Sequence, residues 1–466
     1  MESKKKELLK NTLIIFLGKI STQFLAFFLL PLYTRYLVTD DYGTIDLLLT
    51  YITLLVPIIS IEIEMGAFRF LIEARDDDEK KSEVILNSFS ILKKVAILFL
   101  LIYCIILFLF KSKYSLFVGI CIFSMMLSNL VLQIARGLGK NLLYSVASFL
   151  TGLINISFNI ILIVMLKKSA ISILISTFIS NFVCFIFLFV KLDLISSIKN
   201  GKDNKDLQKK ILKFSLPLVP NTISWWLINA SDRTIVSIIL GVSANGIYAI
   251  STKFSSIISS FLNIFNMSWT ESASLHIDDE DCNDYFSSIN DSILRLFSGI
   301  CILIIAFMPI LFRILIDSKY HEAYMYIPIN ILASFFSCMI SIYSSIYVAK
   351  KMTKQVATTS IMAAFINIIV DILLIRYIGL FAASISSAVA YIIMVIYRSI
   401  DLKKYVKIKY NLKNIIIIIV GFFITITLYY NNNLYFQIFN YVFAIMYTLL
   451  FNIDIIKSIL KKILKK

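Results

Sequence analysis

Charge is scarce in this chain: Asp, Glu, Lys and Arg make up only 16% of its 466 residues. A water-soluble domain carries about 25%. The shortage excludes a soluble globule of this size, which could not coat its surface with polar side chains. Histidine is scarcer still. His276 and His321 stand 45 residues apart, with no HExxH pattern and no Cys/His cluster. Zinc chemistry has no ligand set here, and no metal site or cofactor is expected. The six cysteines, Cys104, Cys121, Cys184, Cys282, Cys301 and Cys338, are scattered, most of them inside apolar runs. They read as small hydrophobes rather than a disulfide framework. The opening MESKKKELLK leads into apolar sequence without a small-residue cleavage site. The first segment therefore reads as a retained span rather than a removed leader.

What the chain does have is long apolar runs. Its apolar fraction is 59% and its mean hydropathy is +0.85. A helix that crosses a bilayer needs about 20 mostly apolar residues. Candidate spans fall at 12–37, 44–66, 86–110, 115–137, 142–166, 169–190, 216–240, 246–269, 291–316, 325–349, 355–376, 379–399, 414–430 and 434–456. The expected fold is an all-α polytopic membrane protein of about fourteen transmembrane helices, or twelve if the last two lie aside.

Lys and Arg in the short connections set the orientation. With the N-terminus in the cytoplasm, about 30 of the counted cations fall inside and 6 outside. One inside loop dissents: residues 271–290 hold no Lys or Arg and include the acidic run at 278–281. Both termini are expected on the cytoplasmic side. The Lys-rich stretch 191–213 reads as a cytoplasmic linker. It divides an N-terminal six-helix lobe, 1–190, from a second lobe, 214–400, with two extra helices and a basic tail at 401–466. The net charge of +16 is attributed to these loops meeting anionic lipids, not to a nucleic-acid partner.

The lobes share a local pattern. Leu37-Val-Thr-Asp-Asp-Tyr-Gly43 joins the first two spans, and Leu240-Gly-Val-Ser-Ala-Asn-Gly246 joins the seventh and eighth, 203 residues later. Both turns fall on the outer side. The pattern suggests two repeats in the same orientation, with a substrate path between them.

The stretch 214–258 begins FSLPLVPN, carries Ser231-Asp232-Arg233 in the seventh span, and continues through a Leu-Gly turn to Gly246-Ile-Tyr248. Arg69-Phe70 and Met267-Ser-Trp269 have the same flavour. In these features the chain resembles the bacterial polysaccharide (O-antigen or capsule, Wzx-type) flippases of the multidrug/oligosaccharidyl-lipid/polysaccharide exporter superfamily. The resemblance implies two six-helix bundles facing each other in a V, as in multidrug and toxic-compound extruders. It implies movement of undecaprenyl-diphosphate-linked oligosaccharide across the bacterial inner membrane. Ion coupling is implied too, with proton or sodium left open. A polysaccharide polymerase and a chain-length regulator would be partners.

A diphosphate crossing lipid needs cations, since unpartnered charge is costly there. Arg233 lies about 12 Å below the outer end of the seventh helix, and Lys253 about 10 Å below that of the eighth. The two stand at similar depth. With Lys19 on the first span and Arg295 on the ninth, they form the candidate cationic cavity. Asp232 either neutralises one of these cations or contributes to the path. Glu62, Glu64, Arg69 and Asp371 are candidates for charge pairing or ion coupling, the two glutamates facing Arg69 as partners. Asn155, Asn159 and Asn181 read first as helix–helix hydrogen bonders. Pro31, Pro57 and Pro309 should kink their spans.

Two other classes fit these features less well. A drug exporter of the same fold is disfavoured by cations in the path, which would repel cationic drugs. A membrane polymerase or glycosyltransferase would present a large outer loop bearing catalytic residues, whereas these outer loops are all short.

Overall fold

A computed structural model describes residue 27 and residues 29–109, 112–166, 170–350, 352–431, 433–454 and 457. Among these residues the regular structure is entirely helical, as lipid demands of backbone that cannot turn to water for hydrogen bonds. Eleven helices among the described residues are long and apolar enough to cross a membrane. The chain is a multi-pass membrane protein. The expected span at 12–37 lies mostly outside the described residues.

The chain falls into two compact units, Met1–Ala230 and Ser231–Lys466. The first contains α1 (Leu30–Tyr36), α2 (Thr39–Ser60), α3 (Ile63–Glu73), α4 (Asp78–Leu109), α5 (Ser115–Gly137), α6 (Asn141–Ile160), α7 (Ile171–Lys191), α8 (Leu194–Asn200) and α9 (Lys205–Ser215). Helix α10 (Leu218–Ile239) carries the boundary between the units. The second continues with α11 (Val242–His276), α12 (Cys282–Leu315), α13 (Ile327–Ala349), α14 (Thr353–Ile378), α15 (Phe381–Leu402), α16 (Leu412–Tyr429) and α17 (Leu434–Phe451). In the first unit α5 packs on α3 and α7. In the second α11, α13, α15 and α14 pack in series, and α16 and α17 lie along α12. Large apolar side chains such as Phe108, Leu101 and Phe423 face outward, which suits a surface solvated by acyl chains.

The two related turns join helices in the same way. Val38 and Gly241 both precede their helices with ψ near 160°, and Gly241 does so at φ +96°, a backbone that glycine adopts without strain.

The span expected at 44–66 is broken. Helix α2 ends at Ser60 and α3 begins at Ile63, with Ile61 and Glu62 between them in the left-handed region at φ 54° and 53°. A left-handed residue other than glycine costs about 1–2 kcal/mol, so the surrounding packing must hold this break. Pro57 lies inside α2, four residues before Ile61.

The 191–213 segment is folded rather than extended. Helices α8 and α9 pack on α4, and α9 also packs on α3. Asn204 caps α9 by accepting from the N–H groups of Asp206 and Leu207, the usual role of a short polar side chain at that position. Fully buried Asn87 of α4 ties the segment down. Its amide donates to the carbonyls of Glu83 and Lys202 at 2.8 and 2.9 Å. Its oxygen accepts from the Asn204 N–H at 3.0 Å and from Gln208 at 2.9 Å.

The dissenting acidic loop is also accounted for. Helices α11 and α12 extend into it and leave only a short turn. Asp278 pairs with Lys350 at 3.3 Å and Asp284 with Lys409 at 2.7 Å. Asn283 and Ser287 accept the backbone N–H groups of Lys407 and Lys409. The carboxylates thus neutralise lysines supplied by neighbouring connections.

Asn87→Ala should release the segment between α8 and α9, because it strands several buried partners at about 1–3 kcal/mol each. Limited trypsin digestion in detergent should then cut at Lys199–Lys205 roughly tenfold faster than in the parent protein. An unchanged cleavage rate would show that Asn87 is not the tether.

Candidate functional site

Four helices bring polar side chains to one buried place: α10 supplies Ser231 and Asp232, α11 supplies Tyr248, α14 supplies Asn367 and Asp371, and α15 supplies Ser386 and Ser387. Asn367 and Asp371 are four residues apart, so they share one face of α14. Ile375 continues that face into an apolar cluster with Val236, Tyr248, Tyr326 and Leu380, which closes one side of the site.

One oxygen of Asp232 is well served. Its Oδ2 accepts from the Tyr248 hydroxyl at 3.0 Å and from the Ser387 hydroxyl at 2.9 Å. Arg233, next in the chain, acts on the same carboxylate electrostatically. Asn367 donates to the hydroxyls of Ser387 and Ser386 at 3.1 and 3.3 Å and accepts from Ser231 at 3.4 Å. Asn367 therefore orients the hydroxyl that serves Asp232.

Asp371 is different. Its side chain is 0% exposed, and among the described residues neither carboxylate oxygen has a hydrogen-bond partner. The Oδ1 of Asp232 is likewise buried without one. The two aspartates are close enough to interact electrostatically. Two carboxylates that share a low-dielectric site repel strongly unless something positive sits between or upon them. The arrangement offers carboxylate, amide and hydroxyl oxygens, the donor set of a hard cation or of a bound proton.

The other expected site residues lie as follows. Arg233 and Lys253 are both half-buried, on α10 and α11. Lys19 falls outside the described residues. Arg295 forms an ion pair with Asp291 at 3.1 Å, donates to the Phe451 carbonyl at 3.1 Å, and lies over the Phe451 ring. It thereby closes the end of α17, whose last carbonyls favour a cation. Glu62 and Glu64 are buried beside the α2–α3 break, and Glu62 accepts from the Thr222 hydroxyl at 2.6 Å. Arg69 pairs with Glu73 at 2.8 Å, half-exposed, so the basic partner expected for the two glutamates is engaged elsewhere. The intramembrane amides make hydrogen bonds between helices: Asn181 accepts from Ser128 at 2.8 Å, and Asn155 donates to Ser180 at 3.4 Å.

Tyr248, Asn367, Ser386 and Ser387 are site residues that the sequence reading passed over. One signal was available for Asn367, an amide one turn before a carboxylate in an otherwise apolar helix. Arg398 is a further buried charge. It is fully buried in α15 and, among the described residues, donates to neutral oxygens, including the carbonyls of Ile340 and Val356 and the hydroxyls of Ser344 and Thr359. Away from these charges, an apolar groove of about 540 Å³ runs along α16 and α17, lined by Ile417, Phe439, Phe443, Met446 and Leu450.

The sequence matches the family described as polysaccharide biosynthesis protein over residues 8–270. No curated protein matches it significantly. Solved transporters share the fold. A lipid II flippase, MurJ, in an inward closed conformation superposes with a TM-score of 0.71 at 16% identity, covering 97% of this chain and 100% of MurJ. An inward-facing multidrug resistance transporter of the MATE family and MOP superfamily gives 0.70 at 13% identity, covering 84% and 98%. A MOP superfamily transporter from Pyrococcus furiosus gives 0.60 at 12% identity, covering 86% and 96%.

Neutralising Asp371 should stabilise the folded protein. Asp371→Asn removes a carboxyl whose ionised form would be buried without a partner, and that costs more than the about 1–3 kcal/mol of an unpaired neutral polar group. The apparent unfolding midpoint in detergent without added sodium should rise. A fall would mean that the carboxylate is compensated within the protein.

Proposed function

This chain belongs to the polysaccharide biosynthesis protein family, and we propose that it is a flippase for undecaprenyl-diphosphate-linked oligosaccharide. The oligosaccharide is assembled on the cytoplasmic face of the bacterial inner membrane and released on the outer face, for O-antigen, capsule or a related polymer. The family description supports the polysaccharide context, and the fold it shares with transporters supports movement rather than catalysis. In this reading both termini are cytoplasmic, and a polymerase and a chain-length regulator act downstream.

The single observation that carries the mechanism is Asp371, a buried carboxylate without a hydrogen-bonding partner among the described residues, close to Asp232. A cation on this pair offsets their repulsion. Loss of that cation favours whichever arrangement of α10, α11, α14 and α15 separates or hydrates the two aspartates. A proton or sodium ion moving down its gradient can bias two conformations in this way, because a ligand shifts an equilibrium only through its differential affinity for the two states. Asn367 and the Ser387 hydroxyl hold Asp232 in position for this exchange.

Arg233 and Lys253 are the proposed contacts for the diphosphate, with Lys19 as an earlier cation on the cytoplasmic side. Arg295 is placed with them in the cationic set, although its ties to Asp291 and Phe451 favour an anchoring role. Glu62, Glu64 and Arg69 are proposed charge partners on the first unit. The apolar groove along α16 and α17 suits an isoprenoid chain, held by packing rather than by exclusion of water, since the surrounding lipid is equally apolar. A drug exporter would be built on the same fold. A set of cations facing the cargo disfavours cationic drugs and favours a phosphorylated one.

Deleting the gene should leave lipid-linked repeat units on the cytoplasmic leaflet, and normal surface polysaccharide in the deletion strain would sink the proposal. Arg233→Ala and Lys253→Ala should each lose most transport while the protein still inserts at wild-type levels. If both support full polymer export, the diphosphate is held elsewhere. Asp371→Asn should abolish the dependence of transport in proteoliposomes on an imposed proton or sodium gradient. A variant that still responds to the gradient like the parent would remove Asp371 from coupling.

A further inference from the structure

Helix α9 carries a charge pattern that the described residues do little to neutralise. Lys205, Lys209 and Lys213 recur at four-residue intervals along one face, with Lys210 beside them, and all four are exposed. Like charges at this spacing oppose helix formation. The ion pair between Lys209 and Asp206 spans 3.7 Å, with both side chains in solvent, and such a pair contributes little. The opposite face of α9 is buried through Gln208, Ile211 and Ser215, so the lysines cannot rotate away.

Exposed apolar side chains bracket the lysines. Val190 and Ile195 precede them, and Phe214 and Leu216 follow directly. These residues belong at acyl depth, and α10 starts at Leu218, which sets Lys213 within two turns of that helix. The lysine face is therefore held at the level of lipid headgroups.

The buried face of α9 rests on the strained break of the first unit. Ile211 packs against Ile63 and Ile91, with Ile61 alongside. At Gly66, one turn into α3, an added Cβ would stand 2.5 Å from the Ser215 hydroxyl and 2.9 Å from Ile211, so only glycine admits α9 this closely. Thr222, just beyond α9, donates to Glu62 within the break.

We propose that the lysine face of α9 is a docking surface for anionic lipid headgroups, and that this contact reinforces the left-handed break at Ile61–Glu62. Anionic headgroups relieve the repulsion along the lysine row. A better-anchored α9 holds Ile63 and Gly66 more firmly, so the lipid composition of one leaflet sets the rigidity of a broken membrane helix. This regulation acts away from Asp232 and Asp371 and does not depend on which cargo is carried.

The test is hydrogen–deuterium exchange on the full-length protein in nanodiscs of phosphatidylcholine alone or mixed with phosphatidylglycerol. Peptides covering 205–215 and 57–66 should exchange several-fold more slowly in the anionic discs, and added salt should erase the difference. K205Q/K209Q/K210Q/K213Q should exchange at the phosphatidylcholine rate in both discs, whereas K205R/K209R/K210R/K213R should keep the protection. Equal exchange of the parent protein in both lipids overturns the proposal, as does a lipid effect that survives the glutamine variant. Protection confined to 205–215 overturns the link to the break. If inorganic phosphate or polyglutamate protects α9 equally in phosphatidylcholine discs, the face takes a soluble anion or an acidic protein, and the lipid assignment fails.

Discussion

A side chain that carries charge into a bilayer leaves behind the solvent that would have compensated it. Whatever replaces that solvent must come from neighbouring helices, and this chain answers the demand in graded ways. Arg398 is wholly buried, and neutral carbonyls and hydroxyls surround its guanidinium. Asp232 receives two hydroxyl donors on one oxygen and none on the other. Asp371 receives none on either among the described residues. Arginine has served structure to completion, whereas the aspartates leave room for something that arrives and departs. The proposed coupling function rests on that difference.

The first unit meets a related constraint through backbone rather than charge. Two consecutive left-handed residues interrupt a membrane helix, and one of them is the β-branched Ile61. Such a conformation persists only where the surroundings over-determine it. Those surroundings are the face of α9, the close approach at Gly66 and the hydroxyl of Thr222. The lysine-rich connection thus does structural work on a span some 150 residues earlier in the sequence.

The helical, membrane-spanning character of the chain was legible in its apolar runs because hydropathy reports a solvent, and the solvent decides the class. The break at Ile61–Glu62 was not legible. Pro57 signals a kink, but the left-handed residues lie four positions on, where tertiary packing rather than local propensity fixes the backbone. The segment 191–213 read as a linker because its lysines dominate its composition. The buried pattern Gln208, Ile211, Ser215 was present at helical spacing beneath them. Asp371 and Asp232 were each noticed as intramembrane carboxylates, yet their meeting depends on how α10 packs near α14, 139 positions away. The pairing of Arg69 with Glu73 instead of Glu62 or Glu64 follows from helix phase, since residues four apart share a face.

Arg398 has one more consequence. Its bonds run from α15 to both α13 and α14, and all its acceptors are uncharged, so neither salt nor a change of proton concentration loosens the knot. Helices α13, α14 and α15 are pinned near one end into a single block. Asp371 rides on that block, while Asp232 and Tyr248 ride on α10 and α11. In the proposed coupling, a bound cation would act where α10 meets that block, at the hydrogen bonds Ser231–Asn367 and Ser387–Asp232.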